Sequence, residues 1–170
     1  SAVVGSRAGA DFKSDIVFVP LSAAGAAPSE PKPIVTGPGD ETGGAVSPDG
    51  RFIVYASDES GRAELYVASF GPSGAVGNPL RVTKSGGVGA IWSPDGRAIR
   101  YGDPSFRVMS LPVVTTPALS AGSPAPLFDV LKLNVFPSDV LPDGRQLVVM
   151  RGEEESDEVR RLSVVLNFNR

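Results

Sequence analysis

The chain has 170 residues, 16 Lys and Arg against 19 Asp and Glu, a formal net charge of −3, and neither His nor Cys. Without His or Cys, no Ser–His–Asp or Cys–His nucleophile system can be assembled, no disulfide framework exists, and a transition-metal site would have only oxygen ligands. No stretch is basic enough to displace counterions from a nucleic acid, and no apolar run approaches the roughly 20 residues that span a bilayer. The expectation is therefore no cofactor, no nucleic-acid partner and no membrane insertion. No signal peptide is legible, and the lack of Cys leaves the compartment open.

In chain order, the first segments read as short strands separated by polar or small-residue turns. Ala2–Gly5, Asp15–Val19 and Lys32–Thr36 form one such series. A glycine-rich stretch, residues 37–44, matches neither a Walker nor a dinucleotide-binding pattern and reads as a connection between sheets. Then comes Gly44-Ala45-Val46, followed by the pentapeptide Ser47-Pro48-Asp49-Gly50-Arg51 and the apolar run Phe52–Ala56. Pro fits the second position of a type I turn, Asp the third, and Gly the left-handed residue that closes a hairpin. Glu64–Ala68 reads as the next strand and Leu80–Thr83 as an outer one, with residues 71–79 a rim connection.

The pattern then returns. Ser93-Pro94-Asp95-Gly96-Arg97 lies 46 residues after the first pentapeptide, and Leu141-Pro142-Asp143-Gly144-Arg145 lies 48 further on. Each copy has a short strand before it (Ala90–Trp92, Ser138–Val140) and an apolar one after it (Ala98–Tyr101, Leu147–Met150). Third strands follow at Phe106–Ser110 and Arg161–Leu166, and an outer strand at Pro126–Phe128, after a rim connection over 112–124. A period of this size suits one four-stranded propeller blade per repeat. The apolar runs do not alternate with polar residues, as expected of strands covered on both faces. The fold class is all-β: a single partial β-propeller domain over residues 1–170, about four antiparallel blades, the first and last incomplete. In the first series the strands take the second, third and outer places of a blade.

Trp92-Ser93-Pro94-Asp95-Gly96-Arg97 is similar to the repeat of TolB-like, WD-repeat-like bacterial β-propellers. Residues 56–67, from Ala56 through Asp58, Glu59 and Arg62 to Val67, resemble the strand–turn–strand part of the same repeat. Residues 162–168 resemble the end of propellers fused to bacterial serine/threonine kinases. That resemblance implies an interaction or sensing module, periplasmic or otherwise extracytoplasmic, with a cytoplasmic location still open. Two alternatives stay open: the gating propeller of a prolyl-oligopeptidase-like peptidase, and a carbohydrate-binding or carbohydrate-active propeller. Six or seven blades of about 46 residues need roughly 280–330 residues. A partial ring leaves apolar blade faces open, so self-association or a missing propeller segment is expected to close it.

The residues chosen as a candidate partner-binding loop set are Asp58, Glu59, Arg62, Lys84 and Lys132. No catalytic residue is expected. Asp49, Asp95 and Asp143 recur at equivalent turns, so they read as turn residues. The Asp58 turn reads as one whose Asp and Ser cap their own backbone. Trp92, Tyr55, Tyr66 and Tyr101 read as core. The acidic run Glu153–Glu158 reads as a solvated hairpin loop.

Overall fold

The computed structural model describes residues 2–8, 13–20, 30–133, 135–140 and 147–151. Among the described residues, four antiparallel sheets follow one another along the chain. The first is β1 (Ala2–Ala8), β2 (Ser14–Pro20) and β3 (Lys32–Val35), side by side in that order. The second is β4 (Thr42–Val46), β5 (Phe52–Ser57), β6 (Glu64–Ser69) and β7 (Leu80–Arg81). The third is β8 (Val88–Trp92), β9 (Ala98–Gly102) and β10 (Arg107–Val114), with β11 (Ser120–Ala121) and β12 (Ala125–Asp129) both paired to β10. The fourth contains β13 (Val135–Val140) and β14 (Leu147–Arg151), preceded by a single helical turn, α1 (Val130–Leu133). Apart from β12, which pairs with β10 and not with β11, consecutive strands within each sheet pair, which is the up-and-down order of propeller blades.

The repeated turn forms as its residues dictate. Gly50 N–H donates to Ser47 O at 2.8 Å, and Ser47 N–H to Phe52 O at 2.8 Å. Gly50 has φ 73°, Gly96 φ 68°. The serine adds a lock that the turn composition alone does not announce. Its hydroxyl donates to Asp49 Oδ1 at 2.6 Å and accepts from Phe52 N–H at 3.0 Å. Ser93 repeats both bonds, to Asp95 at 2.6 Å and from Ala98 N–H at 2.9 Å. Those bonds, from Ser47 and then Arg51 N–H, hold the Asp49 carboxyl below the usual range. The third turn, with Leu141 in the serine position, lies outside the described residues, as do Glu153–Glu158 and Arg161–Leu166.

The core is made between blades. β5 is buried along its whole length, and its residues divide by period two. Phe52, Val54 and Ala56 join Leu65 and Val67 of β6 against Trp92, Ile99, Tyr101 and Leu111 of the third sheet. Ile53 and Tyr55 turn the other way with Tyr66 and Ala68, against Ile16 of the first sheet. Tyr55 and Tyr66 stack across the strands with ring centroids 5.8 Å apart. Burial pushes the Tyr55 hydroxyl up to about 12. Trp92 donates its indole N–H to Ala45 O at 3.1 Å, tying the inner strands of neighbouring blades.

Three sequence expectations need correction. Residues 112–124 are not wholly a rim loop: β10 continues through Val114 and pairs with β11. Pro112 is tolerated because Gly122 N–H reaches its carbonyl at 2.9 Å, so its own missing N–H faces the gap between β11 and β12. The outer strand of the second blade is shorter than expected, Leu80–Arg81 only. Finally, a helical turn at Val130–Leu133 carries Lys132, where no helix was expected.

Candidate functional site

The hairpins β5–β6 and β9–β10 emerge at the same end of the blades as the connections between sheets, residues 36–41, 82–87 and 130–133. The end is stitched together by hydrogen bonds between loops. Ser14 N–H donates to Asp40 Oδ1 at 2.7 Å, and Asp40 N–H donates to Asp58 Oδ1 at 2.8 Å. Lys13 Nζ donates to Pro38 O. The Asp58 carboxylate therefore caps a neighbouring loop rather than its own turn. Within its own turn the bonds are Gly61 N–H to Asp58 O at 2.8 Å, Glu59 N–H to Ser57 Oγ at 3.3 Å and Ser60 Oγ to Arg62 O at 3.4 Å, so the expected capping by serine holds.

Two carboxylates beneath these loops are fully buried. Glu41 accepts from Gly37 N–H at 3.1 Å and from Ser57 Oγ at 3.1 Å. Glu64 accepts from Arg62 Nε at 2.7 Å, Thr83 Oγ1 at 2.6 Å and Gly86 N–H at 3.0 Å. Burial works against the charge of Glu64. The bonds from Thr83, Arg62 and Gly86 outweigh it and hold its pKa below the ordinary carboxylate value. Each carboxylate fastens an inter-sheet connection to the adjoining hairpin. Buried acids held by donors from two loops act as loop fasteners.

The structure brings some of the candidate residues together. Arg62 bridges Glu64 and the Lys84 carbonyl, so Arg62 and Lys84 meet directly. Glu59 and Lys84 are exposed on adjacent loops. Lys132 stands apart from Asp58 and Glu59. It lies on α1, beside the β9–β10 hairpin, where Val130 N–H donates to Phe106 O at 2.8 Å. Among the described residues, no group of three or more acidic side chains is placed to hold a metal ion, and no helix is long and apolar enough to cross a membrane.

One residue at this end escaped the sequence reading. Phe106 is 56% exposed and has φ 58°, a left-handed conformation that a bulky side chain rarely adopts. Asp103 holds it there. Asp103 Oδ1 accepts from Ser105 N–H at 3.0 Å and Arg107 N–H at 2.9 Å, and Oδ2 takes the Arg107 guanidinium at 2.6 and 2.9 Å. Burial opposes the Asp103 charge, but Arg107 and these backbone donors keep its pKa below the usual value. The corresponding place in the β5–β6 hairpin is Gly61, with φ 92°. The two turns share the same bond, from the left-handed residue's N–H back to the leading Asp carbonyl.

An apolar cleft of about 750 Å³ opens at the other end of the blades, lined by Val4, Phe18, Gly44, Val46 and Phe70. It has no charged lining residue.

Compared with known protein families and with curated proteins, the chain matches none. Solved structures do match. A TolB-like protein from Agrobacterium tumefaciens superimposes with TM-score 0.60 at 21% identity, over 87% of this chain and 49% of the other. Proteins assigned as 6-phosphogluconolactonases from Bacteroides uniformis and Bacteroides fragilis follow, with TM-scores 0.57 and 0.56 at 14% and 15% identity. They are covered to 48% each, against 89% and 88% of this chain. The chain thus spans about half the length of the structures it matches. At these identities the likeness concerns architecture alone, and with the sheet order it establishes the fold: this chain is a set of β-propeller blades.

Proposed function

We propose that the chain is a non-catalytic protein-interaction or sensing module, and that the hairpin-bearing end of its blades is the binding face. The observation that carries this reading is the stitched loop layer. Glu41, Glu64 and Asp58 spend their carboxylates on joining neighbouring loops, which leaves a pre-ordered surface with Glu59, Lys84 and Lys132 exposed on it. A surface ordered before binding loses little conformational entropy when a partner arrives. The resemblance of residues 56–67 to TolB-like repeats supports the same reading, and an extracytoplasmic setting goes with it. So does the closing of an incomplete ring by a second copy or a further propeller segment. Light scattering at micromolar concentration is expected to show a dimer, and a clean monomer counts against that part.

The test of the function is a binding screen with charge reversal. Wild type and a Glu59→Lys/Lys84→Glu double variant are screened against a peptide library and a panel of glycans and sugar lactones. The expected result is peptide binding by wild type and altered peptide selection by the variant, with no turnover of any small molecule. Hydrolysis of a lactone or cleavage of a glycan would overturn the reading.

A further inference from the structure

We infer that Phe106 is the anchor of a docking site for an acidic protein segment that carries an apolar side chain. The inference rests on the interaction reading above and makes its partner specific. It starts from a conflict. The turn position that Gly61 fills in one hairpin is filled in the next by an aromatic residue whose backbone disfavours it. The residue is 56% exposed and is no member of the buried core clusters. Asp103 and Arg107 commit five polar atoms to hold the turn closed beneath it. A strained, exposed and rigidly mounted aromatic is what a binding hot spot requires.

The surroundings choose the partner. Leu131 on α1 is 64% exposed, one residue beyond Val130, whose N–H bonds the Phe106 carbonyl. It extends the apolar surface. The acids of the Phe106 hairpin and α1 are already engaged: Asp103 by Arg107, and Asp129 by the N–H groups of Leu131 and Lys132 at 2.9 and 3.2 Å, while Glu59 is exposed on the loop adjacent to Lys84. Arg62 is taken by Glu64. The exposed cations that remain are Lys132, on the same helical turn as Leu131, and Lys84. Lys84 sits two residues before Gly86, whose backbone lies against the Pro104 ring of the Phe106 hairpin. An apolar anchor flanked by two lysines suits a segment with carboxylates on either side of a large apolar residue. Two lysines on a chain of net charge −3 are too few to hold a nucleic-acid backbone.

Fluorescence polarisation tests this with labelled nine-residue peptides holding one Phe, Leu or Trp between acidic residues. Neutral and basic versions of the same peptides and a single-stranded oligonucleotide serve as comparisons. Phe106→Gly keeps the turn, because glycine accepts its backbone, and should leave the melting temperature unchanged or raise it by about 2 °C. It should weaken the acidic peptide at least tenfold. Lys132→Glu should weaken it about fivefold and reduce its salt dependence. Undiminished binding by folded Phe106→Gly overturns the site. A preference for neutral or basic peptides, or for the oligonucleotide, overturns the partner; peptide binding of those other kinds leaves the interaction reading standing. Binding of no peptide at all overturns both.

Discussion

The second and third blades share one repeat yet solve two local problems differently. In the second blade, β5 is covered on both sides, with Ile53 and Tyr55 turned to the first sheet and Phe52, Val54 and Ala56 to the third. In the third, β9 buries Ile99 and Tyr101 against the second blade, while Ala98, Arg100 and Gly102 on its other face are only half-buried. The hairpins differ in the same way. The second blade places glycine where the backbone must turn left-handed, and the third places Phe106 there. The second blade is arranged for packing throughout. The third covers one face of β9 less closely, with a small cluster of Val108 and Val130 on that side, and gives up backbone comfort at Phe106.

Substitutions sharpen this contrast. The largest expected effect is in the doubly covered blade. Leu65→Ala removes a fully buried side chain from the shared core and should cost about 3 kcal/mol, read from urea unfolding. On the other face of the third blade, Ser110→Ala should stay within about 0.5 kcal/mol. An equal loss at both positions would erase the contrast.

Next comes Glu64→Gln, expected to cost about 2 kcal/mol, because a buried carboxylate with three donors is replaced by an amide. Its pH dependence has a definite sign. The folded pKa of Glu64 lies below its unfolded value, so its stabilisation is complete above that unfolded value, about 4.3, and fades as pH falls through the lower folded one. A stability profile measured from pH 7 downward should therefore fall less steeply in the variant. An identical profile would remove Glu64 from its role as a loop fastener.

Smaller effects test the turns. Ser47→Ala removes an acceptor from the buried Phe52 N–H and should cost about 1 kcal/mol, and Ser93→Ala about the same. Smallest is the left-handed position. Gly61→Ala should cost about 1 kcal/mol, whereas Phe106→Gly should be neutral or slightly stabilising. A loss on Phe106→Gly as large as that on Gly61→Ala would mean the ring is held for packing after all.

Much of this was legible in the residues. The Pro-Asp-Gly spacing gave the blades, and the unbroken apolar run Phe52–Ala56 gave the double burial of β5, because both are local patterns. Trp92 and the three tyrosines were readable as core from their strand positions. Other features depend on distant partners. Glu41 and Glu64 look like surface acids until Ser57, 16 residues away, and Thr83, 19 residues away, arrive beside them. Pro112 signals a loop unless β11 and β12 leave a gap opposite its nitrogen. Of the candidate residues, Arg62 and Lys84 do meet, Asp58 turned out to cap a neighbouring loop, and Lys132 stands beside the other hairpin. Phe106 read as the first residue of a strand, whereas β10 begins at Arg107 and Phe106 closes the turn before it, because its backbone angle is imposed by Asp103. Aligning its hairpin with that of Gly61 was the one route to it.

Native-state hydrogen exchange resolved by residue tests the account most directly. If the second blade is the doubly covered wedge of a propeller arc, the amides of β5 and β6 will exchange slowest, at the rate of global unfolding, and those of β9 and β12 measurably faster. Protection that is even across the sheets, or weakest in β5, would contradict it.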